Sequence, residues 1–158
     1  NNVLFYHVEK DFIAQTGDPT ATGTGGSSIW GVLKKRNEAR ARRPRAKENE
    51  DEKRYFRHEI RDDLTHSEKG VLGMVPASSS SGGGGNASIF YITLRPKIDF
   101  LDKKYTIFGK IAEDEDGVLD KINGLHCDEK KRPYMDTRVL HTVILDDPFP
   151  DPEGFPVD

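Results

Sequence analysis

The 158-residue sequence contains a single cysteine, Cys127. One thiol excludes an internal disulfide framework and fits a reducing compartment. Long apolar runs are also missing, which predicts that no segment spans a bilayer. An excess of one charge is absent as well: 24 Lys and Arg face 27 Asp and Glu, a net charge of −3 that does not suggest a global polyanion binder. The length suits one domain.

Charge is nevertheless unevenly distributed along the chain. Residues 34–47, KKRNEARARRPRAK, hold eight basic side chains and one acid, and the following ENEDEKR is mostly acidic. Such segments bury too little apolar surface to offset the entropy of ordering them. We predict that residues 33–54 form a solvated insertion with at most a helical turn, leaving the domain after Trp30 and returning at Tyr55. The run SSSSGGGG, residues 78–85, predicts a second, flexible loop.

Most of the remaining segments are typical of strands, being short and rich in β-branched and aromatic residues. They are VLFYHV, FIAQT, VLGMV (71–75), SIFYITL (88–94), TIFGKI (106–111) and VLHTVIL (139–145). One segment differs: EDEDGVLDKINGL has apolar residues at helical spacing, acids before its first turn and Gly124 in the position of a C-cap. Six strands and one helix, with loops between the strands, favour an antiparallel barrel or sandwich over a doubly wound sheet.

The stretch DFIAQTGDPTATGTGGSSIWG, residues 11–31, resembles the signature region of the cyclophilins. The likeness continues through GVLGMV, SIFYITL, FLDKKYTIFGKI and GVLDKI, and so covers most of the chain outside the two insertions. The closing run RPYMDTRVLHTVILDDPFPDP is similar to the cyclophilin-like protein four subfamily, nuclear proteins with a downstream RNA-recognition domain. The resemblance implies a peptidyl-prolyl cis-trans isomerase domain, mainly β, folded as an eight-stranded barrel with capping helices.

The resemblance also sets expectations for domain organisation. Residues 1–147 match a cyclophilin-like domain, and residues 148–158 form a C-terminal tail. A complete domain of this family has two strands and a helix before the segment that begins at Asn1. Because an opened sheet leaves unpaired backbone groups at both edges, we expect an N-terminal segment to complete the barrel.

Peptidyl-prolyl isomerisation requires an apolar pocket for the proline ring and hydrogen-bond donors that favour the twisted amide. The resemblance assigns catalytic roles to His7 and Gln15, with His7 at the position where the family has an arginine. It assigns substrate binding to Phe12, Ile13, Val75, Pro76, Ile89, Tyr91, Phe100, Leu101 and Tyr105. Several depart from the family pattern: Ile89 replaces a glutamine, Pro76 an asparagine, Phe100 a frequent tryptophan and Tyr105 a histidine.

His7 is the most consequential of these departures. Arginine presents five donors in a fixed fork and is always charged, whereas histidine is mostly neutral near pH 7 and has a shorter stem. Losing one preorganised donor typically costs ~2.7–4 kcal/mol, about 100- to 1000-fold in rate. We therefore predict weak isomerase activity. The alternative is that His7 is an ordinary half-buried strand residue.

Other candidate sites are poorly supported. The glycines after Asp18 lack the Lys-Ser/Thr pair of a phosphate loop and suit tight turns beside the groove. His126 and Cys127 lack the paired spacing of a zinc site, and His58, His66 and His141 are scattered. Asp146, Asp147 and Asp151 are interpreted as a solvated tail rather than a calcium site. We expect neither a metal nor a cofactor.

The basic residues 34–47 allow two interpretations, a nuclear-import or RNA-contacting arm and a charge-balanced surface loop, and their acidic neighbour favours the loop. We expect a monomer that is nuclear, with a cytoplasmic location as the alternative, that binds proline-containing protein segments and binds cyclosporin weakly, and that does not associate with membranes. Two functions remain: an impaired isomerase, or an inactive proline-peptide-binding scaffold in RNA-processing assemblies.

Overall fold

The structure, a computed structural model, describes residues 2–40, 54–77 and 85–150. Its strands within those ranges are β1 (Val3–Leu4), β2 (His7–Glu9), β3 (Ile13–Thr16), β4 (Val71–Ala77), β5 (Gly85–Thr93), β6 (Ile107–Lys110) and β7 (Arg138–Val139). Helix α1 covers Ile29–Arg40, helix α2 covers Val118–Asn123, and a 3-10 turn covers Asp99–Leu101. No helix in the described ranges is long and apolar enough to cross a bilayer.

The strands form two antiparallel sheets, as the mainly β prediction requires. The larger sheet has the order β2-β3-β5-β4-β6, and the smaller one pairs β1 with β7. Strands β2 and β6 each pair on one side only, so the described residues do not close the barrel that the resemblance implied. The described residues therefore form an open sheet with two edges in place of the closed barrel.

The larger sheet carries apolar residues on both faces. On one face, Ala14 lies opposite Ile92, and both pack with Val8 and with Leu119 and Ile122 of α2 in one buried cluster, the inner core. On the other face, Ile13 and Tyr91 pack with Ile98 and Leu101 in a second buried cluster, the pocket cluster. Because successive strand residues point to opposite faces, one sheet separates the two clusters.

Helix α2 confirms the helix predicted in EDEDGVLDKINGL. Asp114 accepts hydrogen bonds from the backbone N–H groups of Val118 (2.6 Å) and Leu119 (3.1 Å), two of the groups that lack partners inside the helix. Gly117 has φ 61° and allows the chain to turn into the helix, and Gly124 follows its last residue. Capping and the apolar face thus agree with the pattern in the sequence.

Helix α1 departs from the prediction for residues 33–54. It begins at Ile29, four residues before the predicted insertion, and runs to Arg40 instead of making a single turn. The Oγ of Ser28 accepts a hydrogen bond from the N–H of Gly31 at its start, and Leu33 is buried. One buried leucine therefore anchors a helix in which five of the twelve residues are charged. Residues 41–53 and 78–84, which include most of both predicted insertions, lie outside the described residues.

The strand predicted at residues 139–145 is wrong beyond its first residue. Only Arg138 and Val139 pair, with Leu4 and Val3, and one further hydrogen bond joins the N–H of Asn2 to the oxygen of Leu140. Val143 to Leu145 lie beyond the residues with which β1 pairs and are exposed, Leu145 by 96 %. An apolar alternating pattern forms a strand only when a neighbouring strand supplies its hydrogen bonds.

The buried Asp18 carboxylate organises the glycine-rich loop after β3. One oxygen accepts from the backbone N–H groups of Gly23 (2.7 Å), Gly25 (3.1 Å) and Thr22 (3.1 Å), and the other from the N–H and hydroxyl of Thr20. Burial alone would raise the pKa of Asp18, but these hydrogen bonds from Thr20, Gly25 and Gly23 lower it to about 2. Gly23 adopts φ 83°, which a residue with a Cβ rarely does.

We expect Asp18→Asn to destabilise the domain by roughly 1.5–3 kcal/mol, because an amide NH₂ would face backbone donors that now bind a charged oxygen. A lowered pKa in the folded state means that ionised Asp18 stabilises the fold above about pH 4 and that this stabilisation is lost as the pH falls towards 2. Urea unfolding between pH 2 and 7 measures both effects. The exposed Asp116→Asn is the control; equal stability of the two variants at pH 7 would contradict the role of Asp18.

Candidate functional site

Strand pairing places His7, Gln15 and Tyr91 in one row across three strands. His7 lies opposite Gln15 in the β2–β3 pair, and Gln15 lies opposite Tyr91 in the β3–β5 pair. Directly opposite residues in antiparallel strands project their side chains from the same face of the sheet. The two predicted catalytic residues and the predicted aromatic wall therefore share the face that carries the pocket cluster.

The pocket cluster extends to partly buried residues at its rim. Phe12, Val75 and Tyr105 pack against the buried Ile13, Tyr91, Ile98 and Leu101. Phe12 stacks on Phe100 with ring centroids 5.6 Å apart, and Phe100 itself is 55 % exposed. Tyr105 meets Tyr91 edge-to-face at 6.0 Å. The result is an apolar, mainly aromatic surface, the kind of surface that receives an apolar ring.

Nine of the eleven predicted site residues thus belong to this row or to the pocket cluster and its aromatic rim. They are His7, Phe12, Ile13, Gln15, Val75, Tyr91, Phe100, Leu101 and Tyr105. The other two are not among the pocket-cluster residues: Ile89 is buried two residues before Tyr91 on β5, and Pro76 lies opposite Asn86, where the β4–β5 register shifts. The roles assigned to all eleven stay predictions.

His7 is accessible to a ligand at the edge of this row. Its side chain is 31 % exposed, and its Nε2 lies 3.9 Å from a carboxylate oxygen of Glu9, two residues along the same strand. A histidine here supplies at most two N–H donors, and a neutral one supplies a single donor. The site therefore has fewer donors at this position than an arginine would provide.

Tyr6 is a site residue that the sequence interpretation missed. Its hydroxyl donates to the Oε1 of Gln15 at 3.1 Å, which engages the amide oxygen and leaves the NH₂ group of Gln15 as the available donor. Burial, and then the charge of Asp18, raise the pKa of Tyr6 to about 12, so its hydroxyl stays protonated. The only signal in the sequence for this contact was that Tyr6 directly precedes His7.

His66 and Asp102 were also missed. The ring of His66 is fully buried, with Nδ1 2.6 Å from Oδ1 of Asp102 and Nε2 2.6 Å from the hydroxyl oxygen of Tyr91. Tyr91 was the available signal, because a tyrosine at a buried position needs a polar partner where a phenylalanine does not. The histidine that the sequence left as scattered is thus joined to the aromatic wall of the pocket cluster.

The described residues contain no group of three or more His, Cys, Asp or Glu side chains able to hold a metal ion. Burial, followed by the charge of Asp128, raises the pKa of the Cys127 thiol, whose sulfur lies 3.7 Å from the oxygen of Leu125. A raised pKa lowers the thiolate fraction, which is the nucleophilic form. Cys127 is accordingly a poor candidate for a catalytic dyad.

A separate open cleft of about 430 Å³ runs along the edge strand β6. The cleft is lined by apolar residues and by charged residues such as Lys110; the apolar ones are Leu64, Val71, Ile107 and Phe108. None of the predicted site residues lines this cleft. We place the candidate site on the pocket cluster because the donors and the aromatic residues converge there, whereas the cleft along β6 lacks such a convergence.

Comparison with protein families agrees with this geometry. The family model described as cyclophilin type peptidyl-prolyl cis-trans isomerase matches residues 1–144. The chain belongs to this family. Among curated relatives, it is 46 % identical over 152 residues to peptidyl-prolyl cis-trans isomerase CYP59 of Arabidopsis thaliana and 40 % identical over 152 residues to the human peptidyl-prolyl cis-trans isomerase-like 4. Both alignments cover 96 % of this chain, which spans only 26 % and 27 % of those relatives.

A solved structure supports the same assignment. The cyclophilin type isomerase of Cryptosporidium parvum, crystallised in the presence of the dipeptide Ala-Pro, superposes with a TM-score of 0.65 at 30 % identity. The match covers 87 % of this chain and 71 % of that one. The cyclophilin resemblance predicted from residues 11–31 is therefore confirmed, including its closeness to the isomerase-like 4 relatives.

We expect Tyr6→Phe to weaken the binding of a proline peptide by about 2- to 10-fold, because the loss of a neutral hydrogen bond worth ~0.5–1.5 kcal/mol releases the Gln15 amide. Chemical-shift titration with a peptide containing Ala-Pro measures the affinity. Exposed Tyr134→Phe is the matched control. Equal affinities of the two variants would show that Tyr6 does not orient Gln15 for ligand binding.

Proposed function

We propose that this cyclophilin domain binds Xaa-Pro segments of proteins on the pocket cluster and catalyses their cis-trans isomerisation weakly. The observation that carries the proposal is the row His7–Gln15–Tyr91 beside the pocket cluster. It combines an apolar surface for a proline ring with donors at one end. The family membership and the Ala-Pro dipeptide named for the Cryptosporidium parvum protein support the substrate class.

The chemistry requires no nucleophile and no metal. Rotation about the Xaa-Pro amide is slow because the bond loses its conjugation, at a cost of ~18–20 kcal/mol. A catalyst lowers this barrier by holding the proline ring while donors stabilise the twisted amide more than the planar one. Phe12, Tyr91 and Leu101 would hold the ring, and the NH₂ of Gln15 would fix the peptide backbone.

His7 would supply the donor that favours the twisted amide. A neutral imidazole stabilises the twisted amide less than a guanidinium does, because it has one N–H donor on a shorter side chain, whereas the guanidinium presents several donors in a plane. Glu9, 3.9 Å from His7, is a competing acceptor for that N–H. Binding of the proline ring and stabilisation of the transition state therefore depend on different residues, and only the second is impaired.

The same observation supports a second candidate, an inactive proline-peptide-binding scaffold. The apolar residues of the pocket cluster serve binding in both cases, so peptide affinity cannot separate the two candidates. The rate of interconversion in the bound peptide does separate them. We favour the weak isomerase because a neutral imidazole still provides one donor.

The biological context is proposed on the resemblance alone. We infer a nuclear location and clients in RNA-processing assemblies from the closing run that is similar to the cyclophilin-like protein four subfamily. Residues 34–40 of the basic segment lie on helix α1, and residues 41–47 lie outside the described residues. Direct RNA contact by residues 34–47 is not favoured. Weak cyclosporin binding is expected because Phe100 stands where the family often has a tryptophan and Pro76 where it has an asparagine.

Two-dimensional exchange spectroscopy on an Ala-Pro peptide tests the proposal, because it reports binding and isomerisation separately. We expect the wild-type domain to bind the peptide and to accelerate exchange slightly. His7→Arg combined with Glu9→Gln should raise the exchange rate about 100- to 1000-fold by restoring a donor of the guanidinium type without its competing acceptor. His7→Ala should abolish the acceleration and leave the affinity nearly unchanged.

The exposed His141→Arg is the control for adding a guanidinium elsewhere on the domain. If the wild-type domain fails to bind the peptide, the proposed function is wrong. If it binds but no variant at position 7 changes the exchange rate, His7 has no catalytic role. If the wild-type domain binds the peptide without accelerating exchange, the scaffold is the better description.

A further inference from the structure

The buried chain Asp102–His66–Tyr91 extends from the surface to the pocket cluster. Asp102 is partly exposed, whereas His66 is 0 % and Tyr91 3 % exposed. Both ring nitrogens of His66 are 2.6 Å from a neighbouring oxygen, Nδ1 from Asp102 and Nε2 from Tyr91. Because each ring nitrogen has a short hydrogen bond, the imidazole of His66 is held in a single orientation.

The direction of the hydrogen bonds follows from the chemistry of the partners. Burial alone would raise the pKa of Asp102, but hydrogen bonds from the backbone and the ring of His66 hold it below its usual range, so Asp102 is a carboxylate. A carboxylate only accepts, which places a proton on Nδ1 of His66. The Nε2 of a neutral ring then accepts the hydroxyl proton of Tyr91. Burial raises the pKa of Tyr91, which keeps that proton in place.

The Tyr91 ring is confined on its other sides as well. Gly73 lies opposite it on β4, and a Cβ at Gly73 would overlap the hydroxyl of Tyr91, so the ring rests directly on the strand backbone. Tyr105 contacts it edge-to-face, and the ring of His66 lies nearly parallel to it with centroids 5.9 Å apart. The hydrogen bond to His66 therefore fixes the position of the Tyr91 ring between the β4 backbone, Tyr105 and His66.

We propose that Asp102 and His66 act as positioning residues for proline-peptide binding, holding the Tyr91 ring in place as a wall of the pocket without touching the peptide. This inference rests on the proposed function, since it concerns the same pocket. It adds two residues, 36 positions apart in sequence, that neither the sequence pattern nor the resemblance assigned to the site.

Replacing His66 leaves a buried hydroxyl without its acceptor. The hydroxyl of Tyr91 would then turn to find another partner, and the ring would leave the position that the peptide needs. We expect His66→Leu to weaken Ala-Pro peptide binding roughly 5- to 30-fold, the effect of losing one buried hydrogen-bond partner. Once the peptide is bound, the exchange rate set by His7 should change little, so the effect falls on affinity rather than on turnover.

Two further variants separate positioning from general destabilisation. His66→Gln supplies an amide that can accept from Tyr91 and donate to Asp102, and it should recover most of the affinity. Thr16→Val is the matched control: it removes a buried hydroxyl bonded to the oxygen of Leu4 (2.9 Å) on the opposite face of β3, and it should lower stability without changing peptide affinity. Affinities are measured well below each variant's unfolding midpoint.

Nitrogen-15 NMR of the imidazoles tests the hydrogen bonds of the Asp102–His66–Tyr91 chain directly, first in the wild-type domain and then in Tyr91→Phe. We expect His66 to show a protonated Nδ1 and an unprotonated Nε2 at pH 7, and Tyr91→Phe to shift the Nε2 resonance while Nδ1 stays bonded to Asp102. A proton on Nε2 would overturn the chain. Tyr91→Phe also serves if His66→Leu fails to fold, because it keeps the ring and should still lose affinity.

The outcomes distinguish the inference from the function on which it rests. A wild-type domain with no affinity for the peptide overturns the proposed function and the positioning role together. Wild-type binding that is unchanged in both His66→Leu and Tyr91→Phe overturns the positioning role alone. Equal losses in His66→Leu, His66→Gln and Thr16→Val would also overturn it, because such losses would reflect stability. Loss in His66→Leu with recovery in His66→Gln supports it.

Discussion

The register of β3 between its two neighbours is the constraint on which the site depends. His7 opposite Gln15 and Gln15 opposite Tyr91 place polar and aromatic side chains on one face, while Ala14 opposite Ile92 fills the inner core on the other. A shift of one residue would exchange the two faces and bury Gln15 in the inner core. Burial of Ala14 and Ile92 thus stabilises the fold and the row of site residues at once.

In the function that we propose, binding and catalysis are carried by separate groups of residues. The pocket cluster would contact a proline ring whether the amide is planar or twisted, so it would contribute mainly to ground-state affinity. We propose that stabilisation of the twisted amide depends on the donor at position 7, where the chain has an imidazole beside Glu9. A domain of this construction can keep its ligand while losing most of its turnover, without any change in the fold.

Local patterns in the sequence predicted several strands and one helix. Strands β4 to β6 and helix α2 follow from alternation, β-branched content and the Asp114–Gly124 caps. Helix α1 was underestimated because its charged composition hides the single buried Leu33. The strand at 139–145 was overestimated because its pattern says nothing about whether a partner strand lies beside Val143.

Some residues of the candidate site could be predicted from the sequence, and others could not. The resemblance supplied the residues of the row and the pocket cluster because they lie in contiguous motifs, such as Phe12 to Gln15. The hydrogen bonds Tyr6–Gln15 and Asp102–His66–Tyr91 depend on chain segments that meet only after folding. A tyrosine at position 91 indicated that some polar partner exists, but the choice among five histidines required coordinates.

The close approach of Tyr91 to Gly73 has an evolutionary consequence. Because the hydroxyl bound to His66 keeps the ring against the β4 backbone, any side chain at position 73 competes with it for the same space. A larger residue at 73 becomes tolerable when the ring at 91 lacks the hydroxyl and can move away from the strand. Positions 73 and 91 are therefore expected to covary among homologues, glycine accompanying tyrosine, with histidine at 66 retained wherever that tyrosine occurs.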